Sequence, residues 1–313
     1  MFKYWLLILT TLPLLGCASL ASKTSNDHLI SYYDYQLYTP DAQATSLEQF
    51  STSVATADVI LIGEWHTHPA IHRFQSDLLT QLYHSSPQLA LSMEQFSRDK
   101  QDIVDQYLAG EIGEQPLITQ GNAWENYQSD YRALVEFAKS NHIDVIAANA
   151  PRNIVRCIGR KGEGYLNTLT SHQRSWVAKQ INTEDSAYKS KFMASMHHGE
   201  PAQTTKQYAA QVTWDETMAE SIVSYLATHP QNKVMHIAGK FHVEDGLGIK
   251  ASILRRAPSL KIIVITPKTE LTSTGDGDYQ IHVLAPPVRY VKQENRIKAY
   301  HSIINQVNEL ECE

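Results

Sequence analysis

The sequence predicts an α/β protein with a mostly parallel central sheet, helices on both faces and a helical cap insertion. Two short apolar runs, Asp58-Val-Ile-Leu-Ile-Gly-Glu-Trp-His66 and Val234-Met-His-Ile-Ala-Gly-Lys-Phe-His242, end in glycine and then in polar, histidine-bearing residues. Apolar runs of this length bounded by glycine read as buried parallel strands, because a strand covered on both faces has no reason to alternate. Strand-like and helix-like segments then alternate along most of the chain, the pattern of βαβ units with right-handed crossovers. From Arg156 to about Ala202 the rhythm breaks into a Lys-, Ser-, Thr- and His-rich stretch of weak periodicity, which forms the cap.

Each element has its own signal. After the strand at 58–63, Ile71, Phe74, Leu78, Leu79 and Leu82 recur at helical spacing and give a helix from Pro69 to Tyr83. Gln88 to Met93 is a second strand ending at Glu94, followed by a short helix from Asp99 to Ala109. Tyr131 to Ser140 is helical with Leu134, Val135, Phe137 and Ala138 inward, and it feeds a third strand at Ile143 to Ala148 that ends near Arg152. Gln203 to Leu226 is a long helix, Lys233 to Ala238 a central strand, Gly248 to Arg256 a helix and Lys261 to Thr266 a strand. Tyr279 to Ala285 is expected to be an edge strand, stopped by Pro286 and Pro287. Ala299 to Val307 is a short amphipathic stretch.

The amino terminus carries an address. Met1-Phe-Lys-Tyr is a basic start, and the apolar stretch from Trp5 to Leu15 is too short for a comfortable membrane span. It ends in Leu14-Leu-Gly-Cys17, which resembles a bacterial lipobox, with Cys17 the lipidated first residue of the mature protein. Ala18 in place of Asp favours the outer membrane of a Gram-negative cell. The expected organisation is a leader over 1–17, a tether and N-terminal segment over 18–44, and one α/β domain over 45–313 with its helical insertion at about 156–215.

Composition excludes other classes. With 42% hydrophobic and 19% charged residues, the chain is globular rather than disordered. A formal net charge of -6 leaves no basic excess for a phosphate backbone, so nucleic acid is not an expected partner. Cys157 and Cys312 are close enough in chemistry to pair in an oxidising compartment, but sequence leaves open whether they meet.

Four strand ends carry polar groups: Glu64 with His66, Glu94, Arg152, and Lys240 with His242. In open α/β sheets ligands collect beyond the carboxyl ends of strands, and unpaired charges there are costly, so the cluster points to a ligand or active site. One chemistry open to it is metal-dependent hydrolysis, with His66, Glu94 and His242 on a divalent cation and Glu64 as base. The chain lacks a His-Glu-x-x-His helix, however.

Several segments in order carry a family resemblance: Leu61-Ile-Gly-Glu-Trp-His66 with His72, Ser92-Met-Glu-Gln-Phe96, Tyr131-Arg-Ala-Leu-Val-Glu-Phe-Ala138, Ala147-Ala-Asn-Ala-Pro-Arg152, Ala210-Gln-Val-Thr-Trp-Asp-Glu-Thr-Met-Ala219, and Ile237-Ala-Gly-Lys-Phe-His242 with Gly248. Together with the lipobox they resemble the ChaN family of haem-binding, iron-regulated lipoproteins, over about residues 45–267. The wider superfamily includes the TIKI metal-dependent peptidases and erythromycin-esterase-like enzymes. The resemblance implies haem as cofactor, iron held by a tyrosine, propionates held by histidine and lysine, and a homodimer formed on haem binding. It further implies haem and iron uptake from a lipid-anchored position, with an outer-membrane haem receptor as a further partner, and binding rather than catalysis.

Among sixteen tyrosines, Tyr131 is the first choice for the iron because it sits where a loop above the sheet enters a helix, and Tyr208 is the second. His66, Lys240, His242, Arg152 and His198 are the expected pocket and propionate residues. Gln211 and Asp215 are weaker candidates, on a helix whose apolar character comes from core packing.

Overall fold

The structure is a computed structural model that describes residues 29–196, 200–273, 277–308 and 311–312. Cys17 with its lipobox, and His198, lie outside the described residues. The sheet begins earlier than the sequence implies, since β1 (Tyr35–Tyr38) and β2 (Ala44–Thr45) come from the segment read as tether and N-terminal extension. A short helix, α1 (Leu47–Ser53), follows, opened by a capping box between Ser46 and Gln49.

The repeating part is β3 (Val59–Glu64), α2 (Pro69–Ser85), β4 (Leu89–Ser97), α3 (Gln101–Leu108), α4 (Glu114–Gln120), α5 (Arg132–Ser140) and β5 (Asp144–Asn149). It continues through α6 (Arg152–Lys161), α7 (Ser171–Ser175), α8 (Ala187–Ser195), α9 (Pro201–Thr228), β6 (Lys233–Gly239), α10 (Lys240–Val243), α11 (Ile249–Arg256), β7 (Ile262–Lys268), β8 (Tyr279–Val283) and α12 (Gln293–Asn308). The eight strands form one sheet in the order β2-β1-β8-β7-β3-β6-β4-β5. All neighbours from β8 to β5 are parallel, and β1 pairs antiparallel with both β8 and β2. The strand expected at the edge over 279–285 is instead an interior one, because β1 pairs with its outer side.

Alternation along the strands sorts the core into two layers. Ile60, Ile62, Leu91, Met93, Met235 and Ile237 face the layer of α1 to α5. Val59, Leu61, Ala90, Val234 and Ala238 face Met218, Ala219 and Ile222 of α9 and Ile249 and Ile253 of α11. This arrangement has a consequence for ligands. The chain steps from β3 to β4 to β5 with its helices on the first face, then returns through β6 to β7 with its helices on the second. β3 and β6 are neighbours whose following helices leave to opposite faces, so a crevice opens beyond their carboxyl ends.

The insertion comprises α6 to α8 and the first half of α9. Ile154, Val155 and Ile158 of α6 pack on Ala209 and Ala210, and Tyr188 and Phe192 of α8 pack on Tyr208, Val212 and Phe241. Cys157 of α6 is joined to Cys312 by a disulfide, which closes a loop of 155 residues. No helix among the described residues is long and apolar enough to cross a membrane.

Candidate functional site

A cavity of about 810 Å³ occupies the crevice. Glu64 and His66 reach it from the end of β3, Gly239, Lys240, Phe241 and His242 from the end of β6, and Gln211 from α9. The chain ends close its outer side with Tyr32, Pro286, Pro287 and Arg289. The Tyr32 hydroxyl donates to the Ala285 carbonyl at 2.9 Å and so joins the two terminal segments.

Glu64 is the organising group. It is 1% exposed, and its Oε1 accepts from the Tyr131 hydroxyl at 2.6 Å, His66 Nδ1 at 2.9 Å and Gln95 Nε2 at 3.1 Å, while Oε2 accepts from Gln75 Nε2 at 2.7 Å. Burial pushes its carboxyl pKa up, but the hydrogen bonds from His66 and Gln75 and the nearby His72 outweigh that and hold it below the usual range. An ionised Glu64 fixes the tautomer of His66, since Nδ1 must donate to it. Nε2 then carries the lone pair on an imidazole whose side chain is 46% exposed to the crevice. Burial pulls the His66 pKa down and the Glu64 bond, with the charges of Glu94 and Glu64, more than offsets it.

His242 is the second centre. Its Nδ1 lies 2.8 Å from Asp215 Oδ1 and its Nε2 lies 3.7 Å from Glu94 Oε1. Burial alone would lower its pKa, yet these two carboxylates push it up to about 9. The Tyr188 hydroxyl donates to Asp215 Oδ2 at 2.8 Å and holds the carboxylate in place. Glu94 sits in an irregular stretch of β4, where the register against β5 shifts between Met93 and Ser97, and its Oε2 accepts the Gly239 N–H at 2.6 Å. The Glu94 carboxylate thus stands between the end of β6 and the His242 ring.

A raised histidine pKa has a fixed sign for stability. The protonated pair stabilises the fold fully below the unfolded value near 6.5, and the contribution is lost as pH rises through about 9. A shift of this size corresponds to about 3 kcal/mol. Urea unfolding of the wild type is expected to weaken between these two pH values, and His242→Gln is expected to lose that slope.

Lys240 anchors the rim. Its Nζ is 2.9 Å from Glu244 Oε1 and 5.9 Å from the centroid of the Trp65 ring. Lys191 and Lys268 meet the same carboxylate at 3.1 and 3.2 Å. Burial pushes the Glu244 pKa up, but Lys240 and Lys191 outweigh it and bring it down to about 2, and Lys191 is shared with Asp245 at 3.0 Å.

The sequence-predicted residues divide accordingly. Glu64, His66, Lys240 and His242 line the crevice, with Glu94 directly behind His242 and Gly239. The weaker candidates Gln211 and Asp215 belong to it as well, Gln211 in the wall and Asp215 as the partner of His242. Arg152 does not: it is exposed at the start of α6, away from the lining residues. Tyr131 is 0% exposed, at the end of a π-helical turn (Tyr127–Tyr131), and its proton is held by Glu64. Burial and the Glu64 charge push its phenol far above the usual range, so it faces the hub rather than the crevice. Tyr208 is buried beyond Asp215, 3.3 Å from Ser186 Oγ, and lines a separate cavity of about 180 Å³.

The arrangement suits a flat, mostly apolar ligand with anionic ends. Trp65, Phe241, Pro286 and Pro287 offer apolar surface, and Lys240 and Arg289 offer cations. Among the described residues no three His, Cys, Asp or Glu groups stand where they could hold a metal ion. Glu94 is already committed to the Gly239 amide and His242.

Among solved structures, "Cofacial heme binding to ChaN of Campylobacter jejuni" has the same fold, with a TM-score of 0.64 and 19% identity, covering 80% of this chain and 98% of that one. An erythromycin esterase variant in its open conformation is more distant, with a TM-score of 0.45 and 10% identity over 85% and 87% of the two chains. The Protein RETICULATA-RELATED 5, chloroplastic, of Arabidopsis thaliana is 24% identical over 195 residues, 58% of this chain. The chain spans only 26% of the length of that curated relative. A family model described as "Haem-binding uptake, Tiki superfamily, ChaN" matches residues 50–253, from α1 through the crevice-forming strands to α11. With well over half its length matched, the chain belongs to the haem-binding ChaN family of the Tiki superfamily.

Proposed function

We propose that the crevice between β3 and β6 binds haem, and that the protein serves haem and iron uptake from a lipid-anchored position on the outer membrane. The observation that carries the reading is the cavity of about 810 Å³, walled by Trp65, Phe241, Pro286 and Pro287 with Lys240 and Arg289 at its edge. A pocket of this size and character fits a macrocycle whose faces are apolar and whose propionates need cationic donors. His66 and His242 add imidazole donors on the same side.

The iron donor must be reachable. Tyrosinate is a hard anionic oxygen suited to ferric iron, and Tyr32 is the tyrosine that lines the crevice, 41% exposed. We assign the iron to Tyr32 rather than to Tyr131 or Tyr208, its phenol giving up the proton and the hydrogen bond to the Ala285 carbonyl when it takes the iron. Because one axial ligand leaves the opposite haem face apolar and poorly hydrated, stacking on the haem of a second copy would bury it, which supports a haem-driven homodimer. A receptor in the outer membrane is the partner to which such cargo would pass. For hemin-loaded protein, Tyr32→Phe is expected to abolish the charge-transfer absorption of phenolate-bound ferric iron while Tyr131→Phe keeps it. The reverse pattern would return the iron to Tyr131, retention in both would assign it to another tyrosine such as Tyr208, and absence of the band from the wild type would assign it to a histidine such as His66.

Anchoring rests on Cys17. Cys17→Ser is expected to remove the protein from the detergent phase on phase partitioning, since the thioether to diacylglycerol forms only on a thiol. Unchanged partitioning would contradict the lipid anchor.

A further inference from the structure

Among the described residues, all the exposed large apolar side chains fall in two segments, residues 30–33 and 288–300. Ile30 is 85% exposed, Val288 78% and Val291 92%. The Tyr32 hydroxyl donates to the Ala285 carbonyl, and Tyr32 lines the crevice together with Pro286, Pro287 and Arg289, so residues 30–33 lie beside the start of the second segment. Soluble surfaces scatter such residues singly, and their concentration in one place marks a surface with a partner.

The charge of this surface is opposite to that of the protein. The chain carries a formal net charge of -6, yet residues 288–300 contain Arg289, Lys292, Arg296 and Lys298 against the single acid Glu294. In α12, Ile297 and Tyr300 are three residues apart and share one face, and Arg296 and Lys298 flank it one step either side of Ile297. Every residue from 285 to 298 is exposed, and Ile297 and Tyr300 keep 46% and 63% of their surface open to solvent. An apolar stripe with tyrosine at its border and cations along its flanks is the pattern of a helix that lies in a lipid interface. The described chain also starts at residue 29, eleven residues after Ala18 begins the proposed tether, a span of at most about 40 Å when extended.

We infer that residues 30–33 and 288–300 form a docking face for an anionic lipid surface, which lays the protein on the membrane and sets the Tyr32 and Arg289 side of the crevice close to it. A lipid anchor only limits distance from the bilayer. The face adds orientation.

The test uses the full chain with vesicles of phosphatidylcholine alone and vesicles that also contain phosphatidylglycerol, and follows trypsin cleavage after Lys292, Arg296 and Lys298. Cleavage is expected to slow at least about tenfold on the anionic vesicles, since each surface lysine or arginine adds to the attraction. High salt is expected to restore the rate by screening, and Lys292→Glu with Arg296→Glu and Lys298→Glu to remove binding while leaving hemin binding unchanged. The triple variant is followed by chymotrypsin cleavage after Tyr300, because its tryptic sites are gone. Equal cleavage on both vesicle types overturns the inference, as does protection that grows with protein concentration without vesicles, which would make the occupant a second copy. Flotation of the chain with neutral vesicles reads the anchor separately, so the two ideas fail independently.

Discussion

Replacing Glu64 by alanine is expected to destabilise the protein by about 3 to 5 kcal/mol, the cost of removing one partner from a buried charged cluster. The reason lies in what stays behind. Tyr131, Gln75, Gln95 and His66 all donate to a carboxylate that is 1% exposed, and the buried donors among them would have no replacement acceptor. Glu64→Gln keeps the shape but turns an amide N–H₂ toward at least one donor, so its loss is expected to be about half as large. Thermal unfolding would show the alanine variant melting about 10 °C lower. A shift of only a degree or two would mean that water enters the hub and that Glu64 is not its organising group.

Gly239→Ala is expected to leave stability nearly unchanged and to weaken hemin binding by roughly 10- to 100-fold, the range for misplacing a positioned group. Gly239 has φ -52°, which alanine adopts without strain. Its added Cβ, however, would lie 2.9 Å from His66 Cε1 and 3.0 Å from Nε2, and 3.6 Å from His242 Cδ2. The imidazole must move, and it is half-exposed toward the crevice, so it moves into the space where a ligand would sit. Glycine here therefore serves the site rather than the backbone. Isothermal titration with hemin, paired with urea unfolding, separates the two effects, and wild-type affinity in the variant would show that His66 is not part of the binding wall.

Much of this was legible in the sequence, for a physical reason. A strand buried on both faces leaves a run of apolar residues that glycine ends, and the next polar residues must stand at the carboxyl edge, so the sequence alone marks Glu64, His66, Lys240 and His242. The shared crevice of β3 and β6 was less visible, because it depends on β6 inserting between β3 and β4. Tyr131 shows the limit of periodicity. Its position at a helix entry fits a residue above the sheet, but periodicity gives no direction, and the π-helical turn aims the hydroxyl at Glu64. Tyr32, Pro286, Pro287 and Arg289 were missed because the segments that carry them meet only in three dimensions, through a hydrogen bond between residues 253 apart. Likewise the strand at 279–283 is interior because β1 pairs with it and β2 with β1, two strands of four and two residues that carry too little pattern to announce themselves.

The central claim is that the crevice beyond β3 and β6 is the haem site. Absorption titration of the purified protein with hemin, run in parallel on Lys240→Glu, tests it most directly. The account predicts a saturable Soret change at one haem per chain in the wild type, weakened at least about tenfold when the rim ammonium is replaced by a carboxylate that repels a propionate. A linear, unsaturable uptake, or a Lys240→Glu curve that overlays the wild type, would contradict it.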